Sequence, residues 1–168
     1  KYCFDEKLIP DGHKWMRAIV AGTTFQDNMD LSLFYDQESR KFSEHGYIGL
    51  YKDKSIRAIG KLKKTIIAVE VEGKMTYRAE SGEAPTPDEI CRINEAIRRA
   101  EDYGYNLRTI SHRYFMVEKF YPIDFRKSSK NPIQKSKFFN LADMFGYKTM
   151  PDTEKIAADL NGRTWEEF

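Results

Sequence analysis

The chain has 168 residues, which is enough for one domain with a substantial core. Its 40% apolar, 14% aromatic and 32% charged residues exclude a disordered chain, which has fewer large side chains, and a membrane protein, which has fewer charges. The 28 Lys and Arg residues nearly balance the 26 Asp and Glu residues. Because the net charge is only +2, a partner can be inferred only from where the charges cluster.

The two cysteines, Cys3 and Cys91, form neither a CxxC pair nor a disulfide framework, and this indicates a cytoplasmic protein. No apolar run approaches the roughly 20 residues of a membrane span, so we expect no membrane partner. The chain begins without Met and stops at residues 164–168 (TWEEF), which resemble the first turn of a helix. We therefore expect a module of a longer protein, with an α+β domain at 1–147 and a C-terminal helical extension at 148–168 that leads into a further region.

Strand-like runs dominate the first half of the chain. Runs rich in β-branched and aromatic residues lie at 14–24, 47–51, 56–60 and 65–72. The end of the first run is predicted to form a loop. Residues 31–42 fit a strand or a helix. The segment Glu72-Gly73-Lys74 predicts a hairpin to residues 75–78. The middle third is therefore expected to be an antiparallel meander.

The best-marked element is a helix that begins after Thr86. An N-cap Thr, a Pro at the first helical position and a capping Glu follow one another at Thr86, Pro87 and Glu89, and the helix is predicted to run to about Gly104. Apolar residues recur on one face of it, so we expect this helix to cover a sheet.

Three further elements are predicted in the last third. Residues 112–123 form an aromatic strand that Pro122 ends or places at an edge. After a loop at 124–134, the sequence predicts a short helix at 137–145 and a last helix at 153–160 that stops at Asn161-Gly162. The fold class is α+β: a strongly bent or barrel-like, mostly antiparallel sheet with one capped covering helix and short C-terminal helices. In outline it resembles the small barrels that bind RNA or modified DNA.

The most uneven charge lies in the loop after the aromatic strand. Residues 125–142 contain five cations and no acid: Arg126, Lys127, Lys130, Lys135 and Lys137. Hydroxyl and amide side chains, among them Ser128, alternate with these cations, and both kinds of group bind phosphate oxygens. A solvated loop accounts for the same run of charge. Phe125, Phe138 and Phe139 favour a nucleic-acid site, because stacking and phosphate contact use aromatic and basic residues together.

Other cations and aromatic residues could extend such a site. Lys61 and Lys63 share one face of a predicted strand, and Arg113 comes at the start of the aromatic strand. The candidates for stacking on a base are Trp15, Tyr47, Tyr51 and Tyr114, although most strand aromatics belong to cores.

The sequence leaves two alternatives open. Glu70 or Glu72 with Lys74 fits part of a restriction-type nuclease site, in which an acid holds Mg²⁺ and a lysine orients water. A protein-interaction domain is the other alternative. Our leading interpretation is a non-enzymatic module that binds DNA or RNA through the basic loop and an aromatic pocket, without a cofactor.

Overall fold

The computed structural model describes residues 11–81, 83–131, 133 and 136–168, and in these residues it has seven strands and five α-helices. In chain order the elements are α1 Asp11–Lys14, β1 Trp15–Val20, α2 Phe25–Leu31, β2 Leu33–Gln37, β3 Tyr47–Lys52, β4 Ser55–Val71, β5 Lys74–Ser81, α3 Pro87–Glu101, β6 His112–Arg126, β7 Lys137–Asn140, α4 Leu141–Phe145, α5 Thr153–Leu160 and a 3₁₀ turn Trp165–Glu167.

The strands form a mixed sheet in the order β2-β6-β4-β3-β1-β7, and β5 also pairs with β4. The pair β1 and β3 is parallel, whereas β1–β7, β2–β6, β3–β4 and β4–β5 are antiparallel. The α+β class and the antiparallel meander are thereby confirmed. In the described residues the sheet ends at β2 and β7 and is not closed, so the barrel-like form of the expectation is not confirmed.

The chain divides into two compact units, which the two long strands β4 and β6 both enter. Of the described residues, the first unit contains those within 11–25, 43–61 and 119–168, and the second contains those within 26–42 and 62–118.

The first unit packs α4, α5 and the 3₁₀ turn onto one face of its strands. Phe125, Leu141, Ile156 and Leu160 are almost fully buried there, and Trp165 is 6% exposed. Burying these large apolar side chains supplies most of the stability of this unit. Residues 148–168, which the sequence presents as an extension, contribute part of this core.

The second unit is built around α3, which the sequence predicted. Thr86 accepts a hydrogen bond from the Glu89 backbone N–H, and the Glu89 side chain accepts one from the Thr86 N–H, so the capping box is present. Ile93 and Ile97 are buried against β2, β4 and β6. The helix ends at Glu101, three residues before the predicted end.

Two predicted strands are one strand in the structure, since β4 runs without interruption through Lys61-Leu62-Lys63-Lys64. Lys61 and Lys63 are exposed, whereas the Lys64 ammonium is buried and lies 2.9 Å from a Glu89 carboxylate oxygen. A strand tolerates this polar stretch because alternate side chains face solvent and the buried lysine has an acidic partner.

The predicted helix at 137–145 is half strand. Residues 137–140 pair with β1 in antiparallel register, and α4 begins only after Asn140, whose side chain accepts a hydrogen bond from the Asp143 N–H. The ambiguous segment 31–42 contains β2, and α2 was not predicted. The hairpin at Glu72-Gly73 is confirmed, because both residues have the positive φ of a tight turn, 50° and 81°.

Candidate nucleic-acid interface

The basic loop between β6 and β7 belongs to the first unit and is fixed at several points. The Lys127 N–H donates to the Lys54 carbonyl (2.8 Å), and the Lys54 ammonium donates to the Lys130 carbonyl (3.1 Å). The Ile133 N–H donates to the Tyr51 hydroxyl (3.3 Å). These bonds join residues 127, 130 and 133 of the loop to the tight turn between β3 and β4 and to β3 itself.

Glu166, in the 3₁₀ turn, holds the loop from the other side. One of its carboxylate oxygens accepts a hydrogen bond from the Ser128 N–H (2.8 Å) and another from the Ser128 hydroxyl. These bonds lower the pKa of Glu166 to about 2, the hydroxyl contributing most, because they stabilise its ionised form. Glu166 is therefore an anion at neutral pH.

A cavity of about 530 Å³ lies between this loop, β7 and the 3₁₀ turn, and we name it the β7 cavity. Its volume falls in the range of small-molecule sites. Its lining residues are Lys127, Ser129, Lys137, Phe138, Phe139, Asn140, Asp143, Met144, Trp165, Glu166 and Phe168.

Four aromatic residues, two lysines and two acids, Asp143 and Glu166, are among the residues that line the β7 cavity. Phe168 is 45% exposed and Phe138 is half-buried, whereas Phe139 and Trp165 are buried, with their rings 4.9 Å apart at a steep angle. The Lys137 ammonium lies 5.6 Å from the Phe139 ring and 5.9 Å from the Trp165 ring. The cavity can therefore offer the partly exposed Phe168 ring for stacking and two lysine ammonium groups for an anionic group.

Positions of the buried rings are fixed by hydrogen bonding and by the sheet. The Trp165 indole N–H donates to the Phe125 carbonyl at 2.9 Å, which ties the 3₁₀ turn to the end of β6. Phe139 pairs with Met16 of β1. All four residues of β7 line the cavity, and β7 is the last strand of the sheet, so the cavity follows its unpaired edge.

The predicted loop residues differ in their surroundings. Lys127 and Lys137 line the β7 cavity, and the Lys127 ammonium contacts the Ser129 hydroxyl. Lys130 is exposed, and Arg126 is exposed and lies 3.2 Å from Asp124. Lys135 lies outside the described residues.

The proposed stacking residues are mostly in cores. Tyr47 and Tyr51 are each 3% exposed in the first unit, and Tyr114 is fully buried in the second. Burial leaves these rings no face for a base. Trp15, at the start of β1, is half-buried.

The other predicted cations differ in availability. Lys61, in the first unit, is exposed. In the second unit Lys63 is exposed, whereas the Arg113 guanidinium binds both carboxylate oxygens of Glu80, at 2.7 and 2.8 Å, and lies over the Phe42 ring. An arginine held by two charge-assisted bonds is already neutralised and has fewer donors left for a phosphate.

The residues of the nuclease alternative lie around the β4–β5 turn. Glu72 is in the turn, Lys74 begins β5, and Glu70 is paired with Met75 two positions before the turn. Among the described residues, no group of three or more His, Cys, Asp or Glu side chains is arranged to hold a metal ion.

Sequence reasoning missed several residues of the site. Glu166, Trp165 and Phe168 were assigned only to a helical turn, and Lys54 was not singled out. Glu166, Trp165 and Lys54 bind residues of the basic loop or of the end of β6 that lie 38 to 76 positions away in the sequence. No local pattern encodes such contacts, although a lone Trp in a polar C-terminal segment was a usable sign of a buried anchor.

In the part of the chain that the structure describes, no helix is long and apolar enough to cross a membrane.

Comparisons with known proteins give little information about this chain. No family model and no curated protein matches the chain. A mutant form of the ASCH protein from Zymomonas mobilis is similar in structure, with 13% identity and a TM-score of 0.46 over 82% of this chain and 96% of that one. A second structure of the ASCH protein from this organism has 9% identity and a TM-score of 0.45 over 89% and 97%. At these values the likeness carries no conclusion about function.

Proposed function

We propose that this chain is a nucleic-acid-binding module, that it takes a single-stranded segment along the β7 cavity, and that it acts within a larger multidomain protein. The observation that carries the proposal is that Lys127 of the basic loop and Lys137 of β7 line the same cavity as Phe168, whose side chain is 45% exposed. Lysine ammonium groups neutralise phosphates, and exposed rings stack on bases.

A single strand fits this site better than a duplex. The rings line a concave space at a strand edge, and bases inside a duplex cannot reach such rings without being flipped out of the stack. Lys130 and Arg126, both exposed on the same loop, extend the positive surface along the backbone of a bound strand. The loop thus positions the phosphates, while the rings hold an unpaired base.

The test is fluorescence anisotropy with a labelled single-stranded oligonucleotide of about ten nucleotides, between about 50 and 200 mM salt. Lys127→Ala and Lys137→Ala should each weaken binding and flatten the plot of log affinity against log salt by about 0.7. Phe168→Ala should weaken binding by about 1–3 kcal/mol with an unchanged salt slope, because it removes stacking and no charge.

Lys155→Ala is the matched control. Lys155 is an exposed lysine of the same unit, it pairs with Asp159 on α5, and it does not line the β7 cavity. Its removal should leave both affinity and slope unchanged. A wild-type protein that binds no single-stranded oligonucleotide at about 50 mM salt would contradict the proposal.

A further inference from the structure

The Ser128-Ser129 turn has the donors of an oxyanion site. The Ser128 backbone N–H and hydroxyl both point to one oxygen of Glu166, and the Ser129 hydroxyl contributes to lowering the pKa of the same carboxyl. The Lys127 ammonium contacts the Ser129 hydroxyl. Backbone N–H groups, serine hydroxyls and a lysine are the groups that proteins direct at phosphate oxygens.

The anion that occupies these donors is a side chain of the protein itself. Glu166 is exposed and lines the β7 cavity, and its backbone is held in place by the neighbouring Trp165, whose indole binds the Phe125 carbonyl. Its side chain can therefore rotate away from Ser128 without disturbing the core. A carboxylate and a phosphodiester present similar oxygens to the same donors, so the two compete for this turn.

Resting on the proposed function, we propose that the Ser128-Ser129 turn is the phosphate subsite of the β7 cavity and that Glu166 fills it until a phosphodiester of the bound strand displaces it. Glu166 then acts as an internal competitor. It keeps the loop ordered in the free protein and lowers the affinity for weakly held anions. Only a ligand that also engages the rings and Lys137 gains enough to displace it.

Under this proposal Glu166→Gln should strengthen oligonucleotide binding and not weaken it. The amide is neutral and a weaker acceptor, so it should release the turn and tighten oligonucleotide binding on the order of fivefold, which corresponds to about one net hydrogen bond. Were Glu166 only an anchor for the loop, the same variant would bind more weakly. Thermal unfolding checks that the variant remains folded.

Glu167→Gln is the matched control. It makes the same charge change on the same turn, but Glu167 contacts Thr164 and Arg163 and not Ser128. A general gain in positive charge would tighten binding for both variants, and the proposal requires the gain for Glu166→Gln alone. Equal gains, or a loss for Glu166→Gln, would overturn it.

A second readout separates this inference from the proposed function. Inorganic phosphate is titrated while the amide resonances of residues 128 and 129 are followed by NMR. Glu166→Gln should show larger shifts at lower phosphate concentration than the wild type, whether or not an oligonucleotide binds. If the oligonucleotide does not bind but Glu166→Gln shows the larger phosphate-induced shifts, the anion site is supported and the nucleic-acid function is contradicted. If the shifts are the same in both proteins, the phosphate subsite is contradicted.

Discussion

The best-held cations of the second unit and the cavity lysines of the first unit have different kinds of partner. In the second unit Arg113 binds Glu80 with two bonds, and the Arg99 guanidinium lies within 3.0 Å of Asp27 and Asp30. In the first unit Lys127 contacts a hydroxyl and Lys137 lies over two rings. Equal numbers of charges in a sequence therefore say little about function. A cation already neutralised by an acid stabilises the fold, and one that lies over rings keeps its charge for a ligand.

The largest effect expected from this difference concerns the buried pair of the second unit. Lys64→Ala should lower the free energy of unfolding by about 3–5 kcal/mol, since it leaves the buried Glu89 carboxylate without its ammonium partner. Urea unfolding measures the change. Lys63→Ala, one residue away and exposed, should stay within about 0.5 kcal/mol. The double variant Lys64→Met/Glu89→Leu should recover most of the loss, because it removes both charges; failure to recover would mean that the helix cap, not the pair, dominates.

The first unit has its own buried titratable group, His45. Burial lowers its pKa from 6.5 to about 4, and the nearby Arg17 adds to the shift. Below pH 6.5 the unfolded chain binds a proton that the folded protein does not take up until about pH 4. Stability is therefore lost as the pH falls through this window, by about 3 kcal/mol in total.

His45→Gln should remove this pH dependence. Urea unfolding of both proteins at several values between pH 7 and pH 4.5 gives the difference in slope. Carboxylates with lowered pKa values, such as Glu80 and Glu89, lose their contribution at lower pH and do so equally in both proteins. Parallel curves for the two proteins would show that His45 is not the buried group responsible.

The smallest effects sharpen the contrast between the two kinds of cation. Arg113→Ala should lower the free energy of unfolding by about 1–3 kcal/mol, because it deprives Glu80 of a charge-assisted pair. It should leave the salt slope of oligonucleotide binding unchanged. The triple variant Arg126→Ala/Lys127→Ala/Lys130→Ala should do the reverse, with stability within about 0.5 kcal/mol and a slope flatter by up to about 2.

Two results would contradict this contrast between Arg113 and the loop cations. If Arg113→Ala flattens the slope, the second unit also contacts the nucleic acid. If the triple variant unfolds at clearly lower urea concentration, the loop cations serve the fold, as they do in the solvated-loop interpretation.

Local sequence signals were sufficient to predict the elements whose ends are marked by capping or turn residues. The Thr86-Pro87-Glu89 cap fixed the beginning of α3, Glu72-Gly73 fixed the β4–β5 turn, and α5 ends just before Asn161-Gly162 as predicted. Each depends on residues a few positions apart, whose backbone preferences act whatever the rest of the chain does. The five cations of the basic loop were likewise visible as a run without acids.

Only the tertiary structure decided which of those residues form a site. It made 137–140 an edge strand instead of a helix, because pairing with β1 outweighs local preference. It placed Tyr47, Tyr51 and Tyr114 in cores and assembled Phe138, Phe168 and two lysines around one cavity. Glu166 meets Ser128 across 38 residues, a contact made by the packing of Trp165 under the end of β6. Such contacts depend on the burial of distant apolar surfaces against one another, and no spacing within the sequence records them.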